Sequence, residues 1–229
     1  SRNIYWLTRG FLIKTTRANF CLDFLARRID QPSLKVVVLL RNPFDVVRSK
    51  ILKKNVAGGD FASKFSYDPS ALFNTKDPAF KQYFEMYRPT FERINSEVQR
   101  EAFVWCLENK WILDACAERQ WSLVIYENLL ADFESELRSL LQIIGIPFSK
   151  SLLRSKSVRS STAYTGTGRE LASSSEFQNI SEGLWRWREF FSRGQLDEIV
   201  EIQRAFDIDY NTLLGESARR HVTYPSYNE

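Results

Sequence analysis

The feature that most constrains the fold is an unbroken run of five aliphatic residues over 36–40. It follows a Gln-Pro-Ser break and leads directly into Arg41. A strand that is apolar on both faces is typical of a parallel sheet covered by helices on each side. Asn42 suits an N-cap and Pro43 suits a first helical turn, so a helix is predicted directly afterwards. The sequence therefore predicts a buried strand over 34–40 that ends in a permanent cation.

Other segments show the same alternation of apolar strand and amphipathic helix. Strands are predicted at 10–16 and 121–127, and helices at 18–29, 93–118 and 135–145, with Gly145 ending the last of these. Two further apolar patterns, WRWREFF and QLDEIVEIQRAF, predict a final helical region. This order predicts an α/β fold, a mainly parallel sheet flanked by helices, in a single domain over residues 1–229.

Residues 56–92 differ in character from the rest of the chain. They contain a Gly-Gly pair, two Asp-Pro pairs and many aromatic side chains. We expect a surface excursion with short helices. Its aromatic residues are either a satellite core beneath a long loop or part of an acceptor-binding lid, since aromatic faces stack on sugars and ring substrates.

Three strand ends carry polar side chains to one rim of the predicted sheet. They are Lys14, Arg41 and the pair Tyr126-Glu127. Ligands of open parallel sheets bind beyond the carboxyl ends of the strands. We therefore expect the functional site at this rim.

The segment from Arg41 to Ser49 predicts an anion site. A guanidinium fits a phosphate with two hydrogen bonds, and the N-terminus of a helix favours negative charge. A serine hydroxyl two turns into the helix adds a further donor. The alternative is an ordinary strand-to-helix turn in which Arg41 pairs with an acid.

Composition excludes several other kinds of site. The net charge of +4, from 32 basic and 28 acidic residues, is too small to indicate nucleic-acid binding. Three scattered cysteines and a single histidine, His221, argue against a metal site and against a Ser-His-Asp triad. No run of about 18 apolar residues exists that would span a membrane.

The segment RNPFDVVRS resembles the Arg-x-Pro-x-x-x-x-x-Ser segment of sulfotransferases that use 3′-phosphoadenosine 5′-phosphosulfate (PAPS). The resemblance implies a P-loop NTPase-like sulfotransferase fold, in which Arg41 and Ser49 bind the 3′-phosphate of the nucleotide. The segment FLIKTT is similar to the family's strand ending in Lys-Thr-His. By that similarity Lys14 is a catalytic residue that contacts the transferring sulfuryl group.

Three later segments fall in the order of the same family. LVIYENLL resembles a strand followed by Tyr-Glu-Asp-Leu, which implies that Tyr126 lies near the adenine. RSSTAYTGT corresponds to a loop that contacts the nucleotide, which makes Ser161 a candidate ligand. WRWREFF resembles a Trp-Lys/Arg segment, which implies that Arg186 or Arg188 faces the cofactor.

Two departures from the family pattern affect catalysis. The phosphate-binding loop that grips the 5′-phosphosulfate has no counterpart before Lys14, so we expect an N-terminally truncated domain. Thr16 occupies the position where many members have a histidine base. His221 and a carboxylate from an upstream segment are the alternatives for the base, with His221 the weaker of the two.

The resemblance implies transfer of a sulfuryl group from PAPS to a hydroxyl of a glycan or small molecule, without a metal. A non-catalytic relative that binds a nucleotide or a partner is the alternative, and the missing base and loop favour it. A P-loop kinase is disfavoured because neither its Gly-rich loop nor its metal-binding Asp is visible. The sequon Asn179-Ile180-Ser181 suits a Golgi lumen rather than the cytoplasm, with any membrane anchor outside this chain.

Overall fold

The computed structural model describes residues 19–29, 34–57, 69–157 and 186–219. The strands in these ranges are β1 (Val37–Leu40) and β2 (Ser122–Ile125). The helices are α1 (Leu22–Ile29), α2 (Pro43–Ala57), α3 (Pro78–Phe91), α4 (Glu97–Arg119), α5 (Tyr126–Ala131), α6 (Phe133–Ile144), α7 (Arg193–Ala205) and α8 (Glu216–Arg219). Shorter 3-10 turns lie at Asn19–Cys21, Pro69–Asn74, Lys150–Ser157 and Tyr210–Leu213, and residues 186–190 are helical. The predicted α/β fold is confirmed.

The two strands pair in parallel and end in register. Leu40 of β1 lies opposite Ile125 of β2. A backbone bond of 3.1 Å from the amide of Ser122 to the carbonyl of Val36 extends the pairing at the other end. The residues that follow Leu40 and Ile125 therefore leave the sheet side by side, at the rim where the sequence predicts the site.

β1 is shorter and less buried than the sequence predicts. Leu40 is only 2% exposed, whereas Leu39 is 58% exposed. Successive side chains of a strand point to opposite faces, and the face of Leu40 packs into the core that β1 shares with α4. The prediction of a strand buried on both faces over 34–40 is wrong for Leu39, because that residue lies on the other face.

Side-chain caps set the ends of several helices. The amide of Asp45 donates to Asn42 Oδ1 over 2.7 Å, which confirms Asn42 as the cap of α2. Ser96 caps α4 through a 3.0 Å bond from the amide of Gln99, so this helix begins four residues later than predicted. Gly145, with φ of +74°, ends α6 as predicted, in a conformation that glycine adopts without strain.

The aromatic residues after Pro69 belong mainly to the core. α3 is a single helix of 14 residues that buries Tyr83, Phe84 and Tyr87. Tyr87 stacks on Phe206 with ring centroids 3.9 Å apart. Core packing is confirmed for these side chains, although they join the main core rather than a satellite core. The acceptor-binding lid at 56–92 stays a prediction that lies partly outside the described residues.

The long helix α4 is the centre of the core. It packs against α2 on one side and against α7 on another. Its fully buried side chains include Ala102, Phe103, Cys106 and Leu107. Trp187 is 1% exposed and lies 4.9 Å from the ring of Phe44 at the start of α2. Core packing was the prediction for this tryptophan and is confirmed, whereas Trp185 lies outside the described residues.

Candidate functional site

Arg41 lies where β1 ends, beside the residue that follows β2. Its guanidinium carbon is 5.1 Å from the centroid of the Tyr126 ring, within the range of a cation–π contact. It also forms a 3.3 Å ion pair with Asp45 and remains 43% exposed. Burial lowers the pKa of Arg41, but the charges of Asp45, Tyr126 and Glu127 outweigh this and raise it above its usual value. The structure thus places two of the predicted rim residues, Arg41 and Tyr126, in contact with each other.

The ion pair to Asp45 is the alternative that the sequence left open for Arg41. It does not close the site, because almost half of the arginine side chain stays accessible. A carboxylate that also accepts from another residue can orient a guanidinium while occupying only some of its five N–H donors. Asp45 is held in this way, since its Oδ2 also accepts from Asn42 Nδ2 over 2.9 Å.

A buried polar network fixes the turn between β1 and α2. Glu127 Oε1 accepts from Asn42 Nδ2 over 2.5 Å and from the Asn42 amide over 3.3 Å. Its other oxygen, Oε2, accepts from the hydroxyl of Tyr210. Glu127 is 0% exposed, Asn42 0% and Tyr210 1%. Asn42, the residue next to Arg41, is therefore held by Glu127, and Glu127 is held in turn by Tyr210.

Burial raises the pKa of Glu127 above its ordinary value. Hydrogen bonds from Tyr210 and Asn42 favour the charged form and offset part of this rise. A carboxyl group so enclosed serves to position Asn42 and the turn. The sequence placed Glu127 at the rim as part of a pair with Tyr126, but the structure puts it beneath the rim.

The first turn of α2 offers fewer free donors than the sequence suggests. Pro43 has no N–H, and the N–H of Asp45 is already bound to Asn42. The amide of Asn42 is bound to Glu127. The helix dipole still favours an anion here, but most of the hydrogen bonds to it must come from side chains.

Ser49 lies on the same stripe of α2 as Asp45. Positions 45 and 49 are four apart, which in a helix places them on one face, and Arg41 pairs with Asp45 from just before the helix. With a rise of about 1.5 Å per residue, Ser49 lies roughly 6 Å along the axis from Asp45. Its side chain is half-buried. This arrangement is compatible with the predicted joint role of Arg41 and Ser49, which stays a prediction.

Arg48, the arginine of α2, lies close to this stripe, and no motif in the sequence singled it out. Its Nε is buried and has no hydrogen-bond partner. Its guanidinium carbon lies 5.6 Å from the centroid of the Phe190 ring. Arg41 and Arg186 both lie near enough to Arg48 to lower its pKa. The signal available in the sequence was its position directly before Ser49.

Of the two arginines proposed near the C-terminus, Arg186 lies in the neighbourhood of Arg48, and a role at the cofactor stays a prediction for both. Arg186 interacts electrostatically with Arg48. The guanidinium carbon of Arg188 lies instead 5.1 Å from the centroid of the Trp187 ring.

Several predicted residues lie outside the described ranges and stay predictions. They are Lys14, Thr16, Ser161, the sequon at 179–181 and His221. Within those ranges, no three His, Cys, Asp or Glu side chains group as metal ligands do. Helices of the described part of the chain are all too short or too polar to cross a membrane.

Comparison with known families identifies the domain. The chain matches the family model described as "Sulfotransferase domain" over residues 17–206, which includes Arg41, Tyr126 and all of α2. No curated protein and no solved structure gives a significant match. The match covers well over half of the chain, and domains of this type transfer sulfuryl groups. This chain is therefore a member of the sulfotransferase family.

Proposed function

We propose that this domain transfers a sulfuryl group from PAPS to a hydroxyl of a glycan or small-molecule acceptor. The observation that carries the proposal is the position of Arg41. Arg41 directly follows β1, its guanidinium contacts the ring of Tyr126, which directly follows the parallel strand β2, and it stays partly exposed just before α2.

The described residues fit the 3′-phosphate of such a nucleotide. A phosphate monoester needs permanent cations and several donors, and Arg41 supplies both. Ser49 adds a hydroxyl on the same face of α2. The Nε of Arg48, which has no hydrogen-bond partner, is a further donor in this region. Tyr126 presents an aromatic ring at the same rim, which suits a contact with the adenine of the nucleotide.

PAPS, when bound, supplies the sulfuryl group. Arg41 and Ser49 hold the phosphate, and the binding energy gained there orients the reacting end of the substrate. Lys14 stabilises the negative charge that develops on the oxygens around sulfur. A base among residues not yet assigned removes the proton of the acceptor hydroxyl.

The test is binding of 3′-phosphoadenosine 5′-phosphate (PAP) to the full-length protein, measured by isothermal titration calorimetry. Arg41→Ala is expected to weaken binding about 10- to 100-fold, because it removes charge-assisted hydrogen bonds. Arg193→Ala is the matched control, since Arg193 is 73% exposed and pairs with the exposed Asp197 at the surface of α7. That control should leave the dissociation constant within about twofold of wild type.

Failure of wild type to bind PAP, or equal binding by Arg41→Ala, contradicts the nucleotide assignment. Transfer of a labelled sulfuryl group from PAPS to a panel of glycans and small alcohols then tests the reaction. Binding without transfer to any acceptor supports a non-catalytic nucleotide-binding domain instead.

A further inference from the structure

Arg48 contains a buried donor that the protein itself does not satisfy. Its Nε is shielded from solvent and has no acceptor within reach. Leaving such a donor unpaired costs about 1–3 kcal/mol, and more for a charged group. A side chain on the second turn of a helix could avoid this cost by turning to solvent. Its retention in a half-buried position therefore points to an acceptor that comes from outside the chain.

The electrostatic surroundings of Arg48 are unfavourable for another cation. Burial lowers its pKa, and the positive charges of Arg186 and Arg41 lower it further. Asp45 and Glu189 act in the opposite direction. Around Arg48, three guanidinium groups thus face two carboxylates, and one of these, Asp45, is already paired with Arg41, on which the buried Glu127 also acts. The excess positive charge favours an anion at this place.

The position of Arg48 relative to Arg41 suits joint contact with one anion. Arg41 lies just before α2 and Arg48 lies on its second turn, so their Cα atoms are on the order of 10 Å apart. Two arginine side chains can converge across that distance. Phe190 lies against Arg48 and limits the directions in which its guanidinium can move.

We propose that Arg48 is a further phosphate-binding residue of this domain, which together with Arg41 selects nucleotides that carry a 3′-phosphate monoester. The proposal rests on the proposed function, because it concerns the same nucleotide. A phosphate monoester carries between −1.5 and −2 charges near neutral pH and has three acceptor oxygens. Its three oxygens can therefore accept hydrogen bonds from a second guanidinium. A free ribose hydroxyl has no negative charge that would attract one.

A contrast between two ligands tests this role. PAP carries the 3′-phosphate, and adenosine 5′-phosphate (AMP) lacks it, so the ratio of their dissociation constants measures recognition of that group. Arg48→Met keeps an unbranched stem against Phe190 but removes the charge and the donors. We expect this variant to weaken binding of PAP about tenfold and binding of AMP less than about twofold.

The matched control is Arg138→Met. Arg138 is also a helical arginine over an aromatic ring, 3.6 Å from the centroid of Phe148, and it pairs with Glu134 on the surface of α6. The control should leave both dissociation constants unchanged. A purely structural role for Arg48 would lower the melting temperature and weaken both ligands equally, which would overturn the proposal.

A second variant covers the case in which Arg48→Met does not fold. Arg48→Lys keeps the charge and loses the planar fork, so the ratio for PAP over AMP should fall about threefold. An unchanged ratio in Arg48→Lys and in any folded Arg48→Met contradicts the role of Arg48 while leaving the nucleotide assignment intact. Wild type that binds PAP no better than AMP contradicts the nucleotide assignment itself.

Discussion

Two regions of this domain are built on different principles. The polar turn consists of Arg41, Asn42, Asp45, Glu127 and Tyr210, joined by hydrogen bonds and one ion pair. The aromatic core consists of Phe20, Tyr83, Phe84, Tyr87, Phe103, Phe206 and their neighbours, joined by ring contacts. The polar turn depends on the direction of each bond, whereas the aromatic core depends on how much surface is buried.

This difference separates stability from function. Burial of aromatic rings contributes free energy in proportion to area and tolerates small shifts. Hydrogen bonds of the polar turn contribute less net free energy but fix where Arg41 lies. We therefore expect substitutions in the aromatic core to change mainly the stability of the fold, and substitutions in the polar turn to change nucleotide affinity as well.

The largest expected loss of stability is that of Phe206→Ala. Phe206 is 1% exposed and stacks on Tyr87 while meeting Phe103 edge-on. Its removal should lower the free energy of unfolding by about 3–5 kcal/mol, measured by urea denaturation. Binding of PAP by the remaining folded protein should stay close to wild type. A loss of affinity as large as that of Arg41→Ala would break the separation between the two regions.

The control for Phe206→Ala is Met86→Ala. Met86 lies on the same helix as Tyr87 but is 64% exposed. Its substitution should change stability by less than about 0.5 kcal/mol. A cost similar to that of Phe206→Ala would mean that α3 packs against more than the described core.

A smaller loss is expected for Glu127→Ala. The change leaves the amide of Asn42 and the hydroxyl of Tyr210 buried without their acceptor. The free energy of unfolding should fall by about 2–3 kcal/mol. Affinity for PAP should fall too, because the turn that carries Arg41 loses its anchor. Unchanged affinity, measured by calorimetry on the folded variant, would show that Arg41 is placed without the polar turn.

The smallest expected effect concerns the pH dependence of the free energy of unfolding, to which Glu127 contributes and which Glu127→Gln should reduce. The folded-state pKa of Glu127 is raised above its ordinary value of 4.5, so the folded protein holds this proton more tightly than the unfolded chain. The resulting stabilisation is fully present below about pH 4.5 and is lost as the pH rises through the folded pKa. Wild type should therefore lose stability relative to Glu127→Gln as the pH rises from 4 to 8.

Urea denaturation of both proteins across this pH range measures that difference. The remaining titratable groups are the same in both and cancel in the comparison. A constant difference at all pH values, or one of opposite sign, would show that hydrogen bonds from Asn42 and Tyr210 outweigh the burial of Glu127.

Much of the polar turn could be predicted because its signals are local. Asn42 and Pro43 predict the start of α2, and the aliphatic run predicts β1. The meeting of Arg41 with Tyr126 followed from the general rule that parallel strands end at one edge of a sheet. The first two features depend on short spacing in the sequence, and the third depends on a rule of sheet topology.

The remaining features depend on contacts between distant residues. Tyr210 binds Glu127 across 83 positions of the chain, and no local pattern indicates that pairing. Stacking of Tyr87 on Phe206 is equally remote, so the aromatic residues near 56–92 could be interpreted either as core or as pocket. Arg48 resembled any solvated helical arginine until burial of its Nε became visible. Exposure of Leu39 was hidden because an aliphatic run does not show which of its faces is covered.

The hydrogen bonds at the two ends of β1 also guard its alignment with β2. The ladder is bracketed by the bond from Ser122 to Val36 at one end and by the bond from Asn42 to Glu127 at the other. Aliphatic side chains alone would tolerate a slip by two residues, which keeps each side chain on its face. Such a slip would leave the Glu127 carboxyl in an apolar interior without its hydrogen bonds from Asn42. The residues that hold the turn before α2 thus also disfavour mispaired strands while the chain folds.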